Sequence, residues 1–223
     1  MGGMRRHKGV GRIALAVLGL GILVSGCNQT IAPASDANLT PRDRNLLAMA
    51  PYARASIPQQ YLRHIVEYPG REAPGTILVD TDARYLYYVL PDRKAIRYGV
   101  TVGEEALAWS GVAKVGRMAE WPSWTPTPEI KVRMRVPDYV APGPQNPMGA
   151  RALYLFEGNK DNLYRIHGTN QPEYIGAAIS SGCIRMTNED VIDLYNRVKI
   201  GTPVIVLAPR QPRIALGGGP RMN

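Results

Sequence analysis

A predominantly β domain with a few short helices, an α+β class, is the fold the sequence predicts, and three observations predict it. Residues 76–103 hold three runs rich in β-branched and aromatic residues, TILVDT, RYLYYVL and AIRYGVTVG, with Pro91-Asp92 as a turn signal after the second. Residues 150–168 alternate as two further strands, ARALYLFEG and LYRIHG. A sustained helical spacing occurs once near the C-terminus, in TNEDVIDLYNRV, through Val191, Leu194, Tyr195 and Val198.

Taken in order, the chain opens as an export signal, residues 1–26. Arg5, Arg6, Lys8 and Arg12 precede the uninterrupted apolar or glycine run IALAVLGLGILV, which is too short to span a bilayer comfortably as a mature helix. The run ends in LVSGC, which resembles a bacterial lipobox and would make Cys27 the lipidated N-terminus. Ordinary cleavage near Ala32 or Ala34 is the alternative. Lipid chains would hold the protein on a membrane surface, and Asn28 in second place fits outer-membrane sorting by analogy with known lipoproteins.

Residues 27–74 read as a tether, because Pro33, Pro41, Pro51, Pro58, Pro69 and Pro74 break regular elements. Two short helices are expected there, around RDRNLLAMA and QQYLRHIVE, with His64 in the second as a surface or packing residue. The folded domain then runs over 75–208 and begins with the β-meander of 76–103. EWPSWTPTPEI reads as an ordered loop pinned by aromatic packing, and VPDYVAPGPQNPMGARAL as a lid or groove wall. Thr187 with Asp190 three residues on signals a helix start. Gly201-Thr202-Pro203 stops that helix, and VIVLA closes the sheet. Residues 209–223, with GGGP, form a flexible tail.

The formal charge of +9 resides mostly in the signal and in tail arginines 210, 213 and 221, which leaves 28–209 near +2. No compact basic face with interleaved aromatics is evident, so nucleic acid is not an expected partner.

Chemistry concentrates in IHGTNQPEYIGAAISSGCIRM, residues 166–186. With Cys27 acylated or removed, Cys183 has no partner in the chain, and an odd cysteine in an exported protein is either paired between molecules or kept for chemistry. His167 ends a strand and Cys183 precedes a helix, so the intervening loop can fold back and bring them together. An imidazole beside a thiol takes its proton and later returns it to a leaving amine. Backbone N–H groups at Ser181, Gly182 and Cys183, with the dipole of the following helix, suit an oxyanion. Arg185 suits a carboxylate. The competing reading is a buried, inert thiol. Serine catalysis by Ser180 or Ser181 lacks a GxSxG elbow, and one cysteine with one local histidine does not supply a catalytic zinc.

The HGT…SSGCIRM arrangement strongly resembles the L,D-transpeptidase family with a YkuD-type catalytic domain, and the similarity extends over roughly 57–208, through IPQQYLRHIVEYPG, GTILVDTDARYLYYVL, EWPSWTPTPEI, NPMGARALYL and NEDVIDLYNRV. The resemblance implies a YkuD-type β-sandwich and a cysteine peptidyltransferase of the bacterial cell wall. In it Cys183 attacks peptidoglycan tetrapeptide stems after meso-diaminopimelate and releases D-alanine, and the acyl group passes to an amine. It implies His167 as general base, the Gly168 carbonyl as its orienter, Ser181, Gly182 and Cys183 at the oxyanion, and Arg185, Ser180 and Thr169 at the substrate. Ser181 stands where many relatives carry histidine, which bears on acceptor choice. No metal or organic cofactor is implied. The acceptor is left open among a second stem, an envelope-protein amine and water, the last making the protein a carboxypeptidase. An endopeptidase on stem peptides and a non-catalytic wall-binding lipoprotein are the readings from other classes. Trp121, Trp124 and the 137–149 loop either line the groove or pack structurally.

Overall fold

The computed structural model describes residues 30–31, 39–50, 52, 56–104, 109–180 and 182–209. The first elements are β1 (Thr30–Ile31), α1 (Pro41–Ala48), β2 (His64–Glu67), β3 (Ile77–Asp80), β4 (Tyr85–Leu90), β5 (Lys94–Gly99) and β6 (Val102–Gly103). Then follow β7 (Gly111–Glu120), α2 (Pro128–Arg133), β8 (Arg151–Glu157), β9 (Lys160–His167), β10 (Ala178–Ser180), β11 (Ile184–Arg185), α3 (Asn188–Tyr195) and β12 (Pro203–Val206). The strands hydrogen-bond in the order β1-β2-β5-β4-β3-β12-β7-β8-β9-β11, with β6 and β10 as a small parallel pair. Only β3–β12 and β9–β11 are parallel neighbours within the large sheet.

Burial follows from alternation. Ile77, Val79, Leu86, Ile96 and Tyr98 from one half of the sheet share a single apolar core with Val115, Leu153, Leu155, Ile166 and Ile184 from the other. Two halves that bury their inner faces against each other make a sandwich, hinged where β12 joins β3 to β7. α3 lies across β8 and contributes Val191 and Leu194 to that core. It starts at Thr187, whose hydroxyl accepts from the Asp190 N–H at 3.1 Å.

The predicted meander, the β8–β9 hairpin, α3 and the closing strand are all present. Three features differ from expectation. β7, ten residues long, escapes the sequence pattern because Lys114, Arg117 and Glu120 interrupt its apolar positions and Gly116 dilutes them. That glycine is required, since a Cβ there would run into the Phe156 ring. The second helix expected in the tether is a 3-10 turn at Gln59–Tyr61 followed by β2. There the open edge of β5 pairs with His64, Ile65, Val66 and Glu67, and pairing overrides local propensity. His64 is buried in that strand, with Nδ1 2.6 Å from the Leu62 carbonyl, so it is a packing residue. α2 also forms inside the predicted tryptophan loop, capped by Thr127.

Much of the expected tether is integral to the fold. Thr40 caps α1 with a full capping box to Asp43, and Pro41 occupies a first-turn position. Asp43 is 1% exposed and receives the Arg151 guanidinium as a fork, at 2.9 and 2.8 Å, with the Trp121 indole N–H at 2.8 Å. Burial alone would raise the Asp43 carboxyl, but hydrogen bonds from Arg151, Thr40 and Trp121 outweigh it and hold the group at about 2. Further on, buried Arg63 reaches Asp193 of α3 at 3.0 Å and Asp190 at 3.8 Å. Cys27, the signal and residues 210–223 of the tail lie outside the described residues.

Candidate active site

The site is built on the outer face of β7, β8, β9 and β11. Ile166 and Ile184 point into the core and pair with each other, so their sequence neighbours point the other way. Register then aligns Ala119, Ala152, His167 and Arg185 in one cross-strand row. A second row holds Arg117, Tyr154 and Arg165, and Cys183, one residue before β11, continues it. Cys183 and His167 are therefore diagonal neighbours on adjacent strands, a relation in which backbone positions lie about 7–8 Å apart.

The segment carrying Cys183 is held from both sides. On one side β11 pairs with β9, and the Met186 N–H donates to the His167 carbonyl at 2.8 Å. On the other, residues 100–104 act as a spine. Thr101 exchanges two 2.9 Å hydrogen bonds with Arg185, Val102 donates to the Ala177 carbonyl at 3.1 Å, and Glu104 donates to the Ser180 carbonyl at 3.1 Å. Gly176, at φ 95°, packs against the Tyr61 ring where a Cβ would clash, so the 3-10 turn before β2 also steadies this loop.

His167 is 5% exposed, and its Nδ1 lies 2.6 Å from the Gly168 carbonyl. A carbonyl only accepts, so Nδ1 carries the proton and Nε2 is the basic nitrogen. Burial first, then the Arg185 guanidinium, pull the imidazole down to about 3, against the carbonyls of Gly168 and Met148. Cys183 is partly buried. Burial pushes its thiol up, and the Arg165 backbone N–H with the Arg165 and Arg185 charges only partly offsets this. The resting pair is neutral thiol and neutral imidazole, in contrast to a thiolate–imidazolium pair. Such an arrangement is suited to moving the thiol proton as the sulfur attacks.

A family model described as YkuD, L,D-transpeptidase catalytic domain, matches residues 74–206. The chain belongs to this L,D-transpeptidase family. The probable L,D-transpeptidases ErfK/SrfK and YbiS of Escherichia coli (strain K12) are each 34% identical to it, over 70% and 67% of this chain and 49% and 48% of their own. The chain thus spans about half the length of these curated relatives. A solved structure from Brucella melitensis, described as a probable carnitine operon oxidoreductase, is 46% identical over 68% of this chain and 97% of that one, at a TM-score of 0.46.

Within this L,D-transpeptidase domain, His167 pairs with Arg185 across the strands and bonds the Gly168 carbonyl, Cys183 follows in the next row, and Ser181 lies outside the described residues. Ser180 and Thr169, expected at the substrate, are each 1% exposed and committed to the backbone. The Ser180 hydroxyl donates to the Cys183 carbonyl at 2.5 Å and accepts from the Gly182 N–H at 3.2 Å. The Thr169 hydroxyl accepts from the Gln171 N–H at 3.0 Å. Both brace turns, because a buried hydroxyl satisfies its hydrogen bonds locally. The Gly182 N–H, expected at the oxyanion, is turned inward by the same brace. The expected helix-dipole contribution at Cys183 is also displaced, since β11 separates Cys183 from the start of α3 at Asn188. Trp121 is core, bonded to Asp43, while Trp124 packs with Met148, Ala152 and Tyr154 on the site face.

Asn188 went unnoticed in the sequence because it reads as an ordinary first-turn helix residue. It is 2% exposed, accepts from the Ala150 N–H at 2.8 Å and donates to the Thr169 carbonyl at 3.0 Å and to Tyr52. It thereby clamps the two strand ends that hold His167 and Gly168, and its carbonyl oxygen fills the space that any side chain at Gly149 or Gly168 would need. The paired glycines were the available signal.

Proposed function

We propose that the protein is an L,D-transpeptidase that acts on peptidoglycan tetrapeptide stems through a cysteine acyl-enzyme. What supports this reading is the strand register, which makes Cys183, one residue before β11, a diagonal neighbour of His167, together with the Gly168 carbonyl at Nδ1 that leaves Nε2 as the base. In the first half-reaction the Cys183 sulfur bonds to the carbonyl carbon of diaminopimelate while its proton passes to His167 Nε2. The carbon–nitrogen bond to the terminal D-alanine then breaks, and that proton leaves on the departing amine. In the second, an acceptor amine attacks the thioester, gives its proton to His167, and the thiolate leaves and is reprotonated. The Cys183 N–H, with Ser181 assigned beside it by the family motif, receives the developing oxyanion. Arg185 holds a substrate carboxylate. Every group the reaction needs is a protein group.

The acceptor is an amine of a second stem or of an envelope protein. The basic-apolar N-terminus and LVSGC support export to the periplasm and lipidation at Cys27, with the outer membrane as destination. Incubating the protein and its Cys183→Ala variant with purified disaccharide-tetrapeptides tests the reading. Cys183-dependent crosslinked dimers that have lost D-alanine, seen by mass, are expected. Hydrolysis alone assigns a peptidase or carboxypeptidase, and no Cys183-dependent product assigns a wall binder. Labelling with a radioactive fatty acid, lost in Cys27→Ala, tests the anchor.

A further inference from the structure

β9 contains a distortion that the catalytic pair does not require. Tyr154 pairs with Arg165 and Phe156 with Asp161, so two residues of β8 face four steps along β9. The two extra residues are accommodated by a kink in which Leu163 takes φ 67°, an uncommon conformation for a branched apolar residue, and is left 63% exposed. Asp161 and Asn162 close the kink by accepting the N–H groups of Leu163 and Tyr164 at 2.9 and 3.0 Å. In a regular strand, residues four apart are about 13 Å distant. Here the kink brings Asp161 onto Arg165 as a fork, at 2.7 and 3.0 Å.

Register puts Arg165 in the row that ends at Cys183, one strand spacing away, about 4.8 Å. Arg165 also leans on the Tyr154 ring, at 4.6 Å from its centroid, and Arg117 covers the same ring at 3.4 Å, which fixes the guanidinium plane. Asp161 takes the end of the guanidinium, and Nη1 also donates to the Tyr164 carbonyl. Among the described residues nothing accepts from Nε or from the second Nη2 hydrogen, so the side edge of the fork is presented for another carboxylate. Oδ2 of Asp161 accepts only from Arg165 among the described residues, while Oδ1 accepts twice.

We propose that the Asp161–Arg165 pair is a recognition subsite for the zwitterionic side-chain end of the donor diaminopimelate, the Arg165 side edge taking its carboxylate and Asp161 its ammonium. The inference rests on the reading of the protein as an L,D-transpeptidase. It explains why strain is stored one strand from the nucleophile. The carbonyl that Cys183 attacks belongs to the diaminopimelate residue itself, and the far end of that side chain reaches a neighbouring strand. A lysine in the same position carries the ammonium without the carboxylate.

Binding to the full chain carrying Cys183→Ala separates this subsite from turnover. The probes are disaccharide-tetrapeptides with diaminopimelate, with side-chain-amidated diaminopimelate, or with lysine at the third position. The diaminopimelate stem is expected to bind about 10- to 100-fold tighter than either of the others, the range for one charge-assisted recognition. Arg165→Gln brings the three affinities together, whereas Asp161→Asn weakens the diaminopimelate and lysine stems alike. Equal affinities for the three stems overturn the subsite without any variant having to fold, as does a preference that survives Arg165→Gln. Failure of the protein with Cys183 intact to release D-alanine from any stem would instead overturn the transpeptidase reading.

Discussion

Two buried polar clusters in this molecule resolve the same problem in opposite ways. Asp43, Arg151 and Trp121 keep a charged carboxylate in the interior, because a bidentate guanidinium and three further donors compensate its lost hydration. Around His167 and Cys183 burial is the largest influence on both groups: with the Arg185 charge it keeps the imidazole neutral, and it keeps the thiol protonated although the Arg165 and Arg185 charges pull the other way. The first cluster fastens the N-terminal helix to the sheet. The second is a low-dielectric pair with one movable proton, which suits acid–base chemistry and contributes little to stability. Burial is common to both: at Asp43 the donated hydrogen bonds and the guanidinium outweigh it, whereas at His167 and Cys183 it prevails.

The sharpest test of that contrast removes the sulfur. Cys183→Ala is expected to lower turnover by more than about 10³-fold while the urea midpoint barely moves. A large fall in the midpoint would assign Cys183 to packing. The converse variant, Asp43→Ala, leaves Arg151 buried without its partner and should cost about 3–5 kcal/mol in urea unfolding, with activity per folded molecule retained. Loss of turnover at unchanged stability would place the latch in the mechanism.

Asn188 bridges the two behaviours. Asn188→Ala should cost about 1–3 kcal/mol, because the Ala150 N–H loses its buried partner, and should also reduce kcat through the displaced Gly168 carbonyl. Unfolding curves and steady-state kinetics read the two losses separately.

The pH dependence of stability distinguishes the clusters by sign. Asp43, held at about 2, stabilises the fold above the ordinary carboxylate range, and that contribution is lost as pH falls from about 4 to 2. His167, held at about 3 by burial and Arg185, is neutral in the fold, so the unfolded chain binds the proton first and stability falls as pH drops from 6.5 to about 3. Asp190, which burial raises to about 6, acts oppositely and loses its contribution as pH rises from 3.8 to about 6. Stability measured by urea titration should therefore vary little between about pH 4 and 6 and fall steeply below 4. At the site, the raised thiol predicts an iodoacetamide alkylation rate at Cys183 still climbing above pH 9. A plateau near neutrality would signal a preformed thiolate. The smallest expected effect is Thr187→Ala, about 1 kcal/mol for the lost cap of α3.

The nucleophile and base candidates were legible because a lone thiol, a strand-end histidine and small residues before the cysteine form a local chemical pattern. The meander and α3 were legible from periodicity and turn residues. β7 was not, since Arg117 faces the site side of the sheet and its glycine answers a demand made by Phe156 across the sheet. Nor were the bracing roles of Ser180 and Thr169, the clamp at Asn188 or the burial of Asp43, which depend on partners 19 to 108 residues away or on the local path of the chain.

By itself the sequence determined which residue types were available for acyl transfer and where strands and the late helix would form, because those follow from side-chain chemistry and short-range spacing. Only the tertiary structure decided which of those groups share a face, which hydroxyls are used up inside, and whether an ionisable group stays charged. Those outcomes depend on cross-strand register and on the charge of distant neighbours, neither of which a local stretch of chain contains.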